Sequence, residues 1–586
     1  MRAPLFLFAS TCLLFASPLL ADEDADARFE ALVDDYEAHA LAHDLIRAGR
    51  EGDLDAAARW PDVSFDTVAS RRDAEAQFLQ RLEDIPVDAL SSAGKQTSHG
   101  VLDYLLRTRV ALAAFDPERI SFTNDFGFFA TPTQVAGQTR LRNAEQAEAW
   151  IARVERIPDF FADHQAWLER ALEDGIVQPA SIMDGVLGQI RALAQAEPEE
   201  HPLYAPMEQL PSRMDATARA RLESATHAAI EQHALPAYAR LLEFFEDVYL
   251  AEPRDTIAFS ALPGGRAWYR ELVRHHTSLD TTPEEVHRQG EAEVARIRDE
   301  MEDVIEETGF DGTFAEFLEY LRTDPKFYAD SERELLMHAS YIAKRADDAM
   351  PEFFRHLPRL PYGVRPVPDD IAPNYTTGRY WRGDLESGVA GGYMVNTYRL
   401  DQRPLYELPA LTLHEAVPGH HHQIAIMQEL DGVPDFRRNA SITAFSEGWA
   451  LYTEHLGIEM DIYETPYEHF GRLTYEMWRA CRLVVDTGMH YFGWSRERAE
   501  ACLLENSALS THNVRTEIDR YISWPGQALA YKTGELLIRE LRADAEATLG
   551  DEFDLRAFHD HLLGAGAIPL DLVETRMREW IEDHAQ

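Results

Sequence analysis

The chain has 586 residues, 45% of them hydrophobic, and a formal net charge of −46. That apolar content belongs to a folded protein rather than a disordered one. So acidic a balance argues against nucleic acid and anionic membrane surfaces as partners, because both select basic patches.

The N-terminus reads as an export signal over residues 1–21. Arg2 precedes an apolar run from Leu5 to Leu20, and Ala21 offers a small residue for cleavage. The run is short for a membrane span. The mature chain, 22–586, is therefore expected in a periplasm or outside the cell with no span left, and an uncleaved anchor is the alternative. Cys12 lacks the leucine and small-residue context of a lipid-modified cysteine. Beyond the signal only Cys481 and Cys502 remain, too few for a disulfide framework. The sequence leaves a single bond between them open.

Helical periodicity governs the rest. Residues 143–176 read as two amphipathic helices broken near Pro158, and 216–247 continue the pattern. Thr282, Pro283 and Glu285 mark a helix start with a capping box. Further helices are predicted over 331–348, 441–458, 466–490, 524–545 and 570–583. The best strand is 391–400, and the Pro-rich stretch 356–373 is the candidate lobe boundary. The expectation is a mainly α protein with minor β, built as one large domain or as two lobes.

The chemistry centres on "LTLHEAVPGHHHQ", residues 411–423. His414 and Glu415 open the H-E-x-x-H pattern of zinc hydrolases, but Pro418 stands where the second histidine belongs. On an unbroken helix, residues seven apart differ by about 20° and residues six apart by about 120°, which favours His421. A break at Pro418-Gly419 would bring His420 round instead. Both stay open on spacing alone, as does a solvated histidine-rich turn. A hydrolytic zinc site wants three protein ligands. In "SITAFSEGWALYTEHLG", Glu447 is the candidate for the third and Glu454, seven residues on, the runner-up. Glu415 is the candidate general base. Arg482, Asp486 and His490 stand four apart on one helix face. They form either a salt-bridged face or a site in which Asp486 orients His490 toward substrate or an oxyanion. Tyr531 is a candidate oxyanion donor, with core packing as the alternative. Lys532, one of four lysines, and Arg482 are candidates for binding substrate.

Taken in order, "HEAVPGHHHQ", "SEGWALYTE", "DTGMH" and "PGQALAYKTG" resemble the bacterial family catalogued as domain of unknown function 885. That family is similar to the glutamate-ligand zinc peptidases, alongside carboxypeptidase Taq and angiotensin-converting enzyme. The resemblance covers most of the chain. It implies a helical zinc-peptidase-like fold with a deep cleft, with Zn2+ held by His414, His420 and Glu447. The implied activity is hydrolysis of short peptides with Glu415 as base. The competing functions are a metal-dependent amidase or esterase, and a non-catalytic exported binding protein on a peptidase scaffold.

Overall fold

Apolar residues at helical spacing, separated by short polar caps, make the chain helical almost throughout. The computed structural model describes residues 19–585, apart from 252, 370, 386 and 387, and in them a single three-stranded sheet forms. The expected export signal lies outside the described residues up to residue 18. No helix of the described residues is long and apolar enough to cross a membrane.

The helices that position the site are α1 (Pro283–Thr308), α2 (Leu408–Glu415), α3 (His420–Glu429), α4 (Thr443–Leu456), α5 (Pro466–His490), α6 (Arg496–Asn506) and α7 (Ala530–Leu549). Their ends follow local chemistry. The Thr282 side chain accepts from Glu285 N while the Glu285 carboxylate returns the bond, and Pro283 fills the first turn of α1. Thr465, Pro466 and Glu468 repeat this arrangement at the start of α5. Residues 143–176 form Ala144–Glu155 and Ile157–Asp174, with Pro158 in the first turn of the second helix. The helix expected from 524 starts later. Gly526 takes a left-handed conformation (φ 84°) and Gln527–Leu529 form a 3-10 turn before α7.

The strands are β1 (Tyr362–Pro366), β2 (Gly378–Trp381) and β3 (Gly391–Val395), in the order β1-β3-β2. β1 arises inside the Pro-rich stretch and runs parallel to β3, whereas β2 pairs antiparallel with it. The strand expected over 391–400 ends early because Asn396 turns its side-chain amide to the carbonyls of Ala372, Tyr375 and Thr376. The row Val364, Tyr393, Tyr380 faces α2, where the Thr412 hydroxyl donates to Tyr393 at 3.2 Å.

One apolar cluster runs from Ala25 to Ile581 and takes in Trp449, Tyr452, Tyr475 and Tyr521. Within it α4 and α7 touch backbone to backbone. A Cβ on Gly448 would stand 2.5 Å from Gly534 Cα, and one on Gly534 would stand 2.1 Å from the Ala444 carbonyl. A surface hollow of about 390 Å³ lies along Phe161, Ala237, Arg240 and Phe244, and a pocket of about 10 Å³ lies beside Asn396 and Glu407. Neither takes in a candidate site residue.

Candidate metal centre

The interruption at Pro418 shapes the site. α2 stops at Glu415, and Ala416 (φ −100°, ψ −111°) and Gly419 (φ −74°, ψ −130°) leave helical geometry before α3 begins at His420. The Val417–Pro418 bond is cis. The turn folds so tightly that a Cβ on Gly419 would lie 2.0 Å from the His414 carbonyl oxygen and 2.3 Å from that of Leu413. α4 braces it from below. Trp449 Nε1 donates to the Pro418 carbonyl at 2.8 Å, and the Thr453 hydroxyl donates to that of Leu413 at 3.1 Å.

The break assigns the three consecutive histidines different surroundings. His420 turns toward His414, with the two ring centroids 4.8 Å apart and the rings near perpendicular. His421 receives the Tyr380 hydroxyl on Nδ1 at 3.1 Å and donates Nε2–H to the Leu360 carbonyl at 3.0 Å. Burial holds this imidazole down at about 4. His422 Nε2 donates to the His356 carbonyl at 3.2 Å.

Ligand-capable atoms of His414, His420 and Glu447 all lie within 4.8 Å of one another, the one such group among the described residues. Each histidine Nε2 is 3.4 Å from Glu447 Oε2. That exceeds an ordinary N–H···O hydrogen bond of about 2.9 Å, and Oε2 has no hydrogen-bond partner. Three ligands about 2.0–2.1 Å from a tetrahedral zinc stand roughly 3.3 Å apart, so the donors fit that ion. The electrostatics agree. Burial disfavours a charged His414, but Glu447, Glu454 and Glu415 outweigh it and raise its pKa to about 10. Burial likewise works against the Glu447 carboxylate, yet His420 and His414 hold it well below the usual range.

Glu454, the runner-up ligand, stands behind the group. Its Oε1 accepts from His414 Nδ1 at 2.7 Å, which fixes the tautomer and leaves Nε2 free as a ligand. Arg479 approaches the same carboxylate at 3.7 Å. Glu415, next in the chain to His414, accepts the backbone N–H of Tyr380 on its Oε2 at 2.7 Å. Tyr380, Trp449 and Arg479 escaped sequence reasoning. A backbone donor carries no residue signature, although Trp449 falls within the motif around Glu447.

The remaining candidates are placed otherwise than expected. Asp486 does not orient His490. It accepts the Tyr269 hydroxyl at 2.5 Å and Gly526 N at 3.0 Å, and burial raises its pKa to about 7. His490 is fully buried with both nitrogens on backbone, accepting from Phe259 N at 3.3 Å and donating to the Tyr521 carbonyl at 2.8 Å. It also stands eleven residues, about 16 Å at helical rise, along α5 from Arg479. Arg482 is packed against the Trp478 and Tyr531 rings and bound to Tyr521 and Glu517, with 2% exposure. Tyr531 is buried, and its hydroxyl accepts from Arg520 at 3.2 Å.

Lys532 is withheld from any substrate carboxylate because it already has three carboxylates. Its Nζ lies 2.8 Å from Glu476, 2.8 Å from Glu535 and 3.1 Å from Glu293, at 0% exposure. Removing one partner of such a buried group strands the others. Lys532→Met is expected to lower unfolding free energy by about 3–5 kcal/mol in urea titration while leaving metal content unchanged. Wild-type stability in this variant would remove the network from the stability account.

Comparison with known proteins adds the family but no activity. A crystal structure from Colwellia psychrerythraea, described as that of "the putative lipoprotein", superposes with a TM-score of 0.89 at 26% identity, covering 95% of this chain and 100% of that one. A second from Shewanella oneidensis, "a putative lipoprotein of unknown function", gives 0.66 at 16% identity over 96% of this chain and 100% of that one, a likeness of fold alone. No curated protein matches. The model of a family described as "Bacterial protein of unknown function (DUF885)" matches residues 46–577, and the chain belongs to that family.

Proposed function

We propose that the chain is an exported, periplasmic or secreted zinc-dependent peptidase that hydrolyses short peptides. The observation that carries this reading is the convergence of His414, His420 and Glu447, each histidine 3.4 Å from the carboxylate, with Glu415 anchored alongside on Tyr380 N. His414 and His420 would offer their Nε2 atoms and Glu447 a carboxylate oxygen, the donor set of a glutamate-ligand zinc hydrolase. When bound, zinc acidifies a coordinated water and polarises the carbonyl under attack. Glu415 would serve as the general base, and its bond to Tyr380 N keeps the carboxylate directed. Glu454 holds His414 in the ligating tautomer.

Two further features support the reading. Side chains of His420 and Glu447 keep 13% and 19% exposure, whereas that of His414 keeps 3%, so the group lies at the edge of the core. β2 is an outer strand whose Tyr380 N–H turns from β3 to Glu415, which ties the candidate base to the sheet. The apolar N-terminal run and the description of the structural neighbours as lipoproteins support export.

Elemental analysis is expected to give about one zinc per chain, as for a single three-ligand site, and His414→Ala should lose it. Glu454→Gln should keep the site but weaken zinc binding about 10–100-fold, read by competition with a chelator. Zinc-free protein after reconstitution, or zinc-loaded protein that cleaves no member of a peptide pool, would overturn the proposal.

A further inference from the structure

We infer that Cys481 and Cys502 are a thiol pair that closes to a disulfide, stapling α6 to α5. They are the only cysteines beyond residue 21, and the fold brings them together. Cys481 Sγ and Cys502 Sγ lie 3.5 Å apart across 21 residues of chain, and Cys481 Sγ lies 3.7 Å from the Cys502 carbonyl. Two sulfurs 3.5 Å apart on neighbouring helices have to close by about 1.5 Å to reach the roughly 2.0 Å of an S–S bond.

The two thiols differ in a way that sets the order of events. Cys481 is fully buried, whereas Cys502 is partly exposed at the helix surface. The Cys502 thiol donates to the Cys481 sulfur, and the Cys481 thiol donates to the Cys502 carbonyl; contact with Cys502 and burial push the Cys481 pKa up, while contact with Cys481 lowers that of Cys502. Cys502 is thus the attacking thiol and Cys481 the resolving one. The oxidant is a small-molecule disulfide such as glutathione disulfide. Cys502 thiolate attacks one of its sulfurs, forming a mixed disulfide and releasing one glutathione thiolate. Cys481, on losing its proton, attacks the Cys502 sulfur and releases the second. Two electrons pass from the pair to the glutathione, and the two thiol protons end on its two reduced molecules.

The bond would sit two residues from Arg479, whose side chain approaches the carboxylate that orients His414. It therefore fixes α6 against the helix that backs the metal group. Its biological setting would be the oxidising compartment that export implies, but the pair's chemistry is testable without it. Purified reduced protein is incubated in glutathione buffers from fully reduced to fully oxidised, the remaining thiols are alkylated, and the digest is mapped by mass spectrometry. The expected result is a peptide pair linked through Cys481 and Cys502 in oxidising buffer, its loss in Cys502→Ser, and a higher thermal midpoint for the oxidised form. Quantitative alkylation of both cysteines in oxidising buffer, or a glutathione adduct on Cys502 that never resolves, would overturn the inference. Zinc content and peptide cleavage are measured separately, so failure here leaves the proposed function standing, and failure there leaves the thiol pair standing.

Discussion

Replacing Glu415 by glutamine is expected to remove peptide hydrolysis almost entirely while zinc content stays at the wild-type level. The reasoning is geometric. Glu415 stands outside the group formed by His414, His420 and Glu447, and its Oε2 accepts the backbone N–H of Tyr380 at 2.7 Å. Glutamine has the same length and an oxygen that accepts the same bond, so β2 and α2 keep their positions. What it lacks is a carboxylate to receive a proton. General-base catalysis contributes about 10²- to 10⁴-fold, and the loss should fall in kcat rather than in KM. A Glu415→Gln enzyme that turns over at close to the wild-type rate would remove Glu415 from this role and leave the metal group intact.

The second large effect is expected at Gly419, which touches neither metal nor substrate. A methyl group there would stand 2.0 Å from the His414 carbonyl and 2.3 Å from that of Leu413, far inside van der Waals contact. The neighbours have little freedom to retreat. His414 carries a candidate ligand nitrogen and is held by Glu454, and the Leu413 carbonyl accepts from Thr453. Gly419→Ala must therefore push α3 away from α2, carrying His420 with it. Overpacking of this kind costs about 1–3 kcal/mol and sometimes more. Zinc content should fall along with the urea midpoint. A Gly419→Ala protein that binds zinc with unchanged affinity would mean that the tight turn is incidental to the metal group.

The outcome at each residue shows what a sequence can carry. The 25-residue helix α5 was legible to its ends because its start is written in three adjacent positions, Thr465, Pro466 and Glu468. The group of His414, His420 and Glu447 was legible because its members lie in two short motifs. Choosing His420 over His421 was beyond spacing, since the choice depends on the turn at Ala416–Gly419 and on Tyr380 and Leu360, which occupy His421 from elsewhere in the chain. β1 and β2 went unseen for a similar reason. They are short, carry Pro366 and Gly378, and exist because β3 pairs with them. Lys532, Arg482 and His490 misled because buried ion-pair networks and functional sites draw on the same residue types. The partners that separate the two, Glu293 and Glu476 for Lys532 or Phe259 for His490, come from distant helices and loops.

α4 supplies Glu447 to the group, Trp449 and Thr453 to the turn at Pro418, and Glu454 to His414. These four contacts share one rigid rod, and the glycine contact with α7 leaves that rod no room to shift. A small rotation of α4 would disturb all of them at once. The centre is therefore cooperative in the thermodynamic sense: substitutions along this helix should not add, because the first to release the rod forfeits the contributions of the rest.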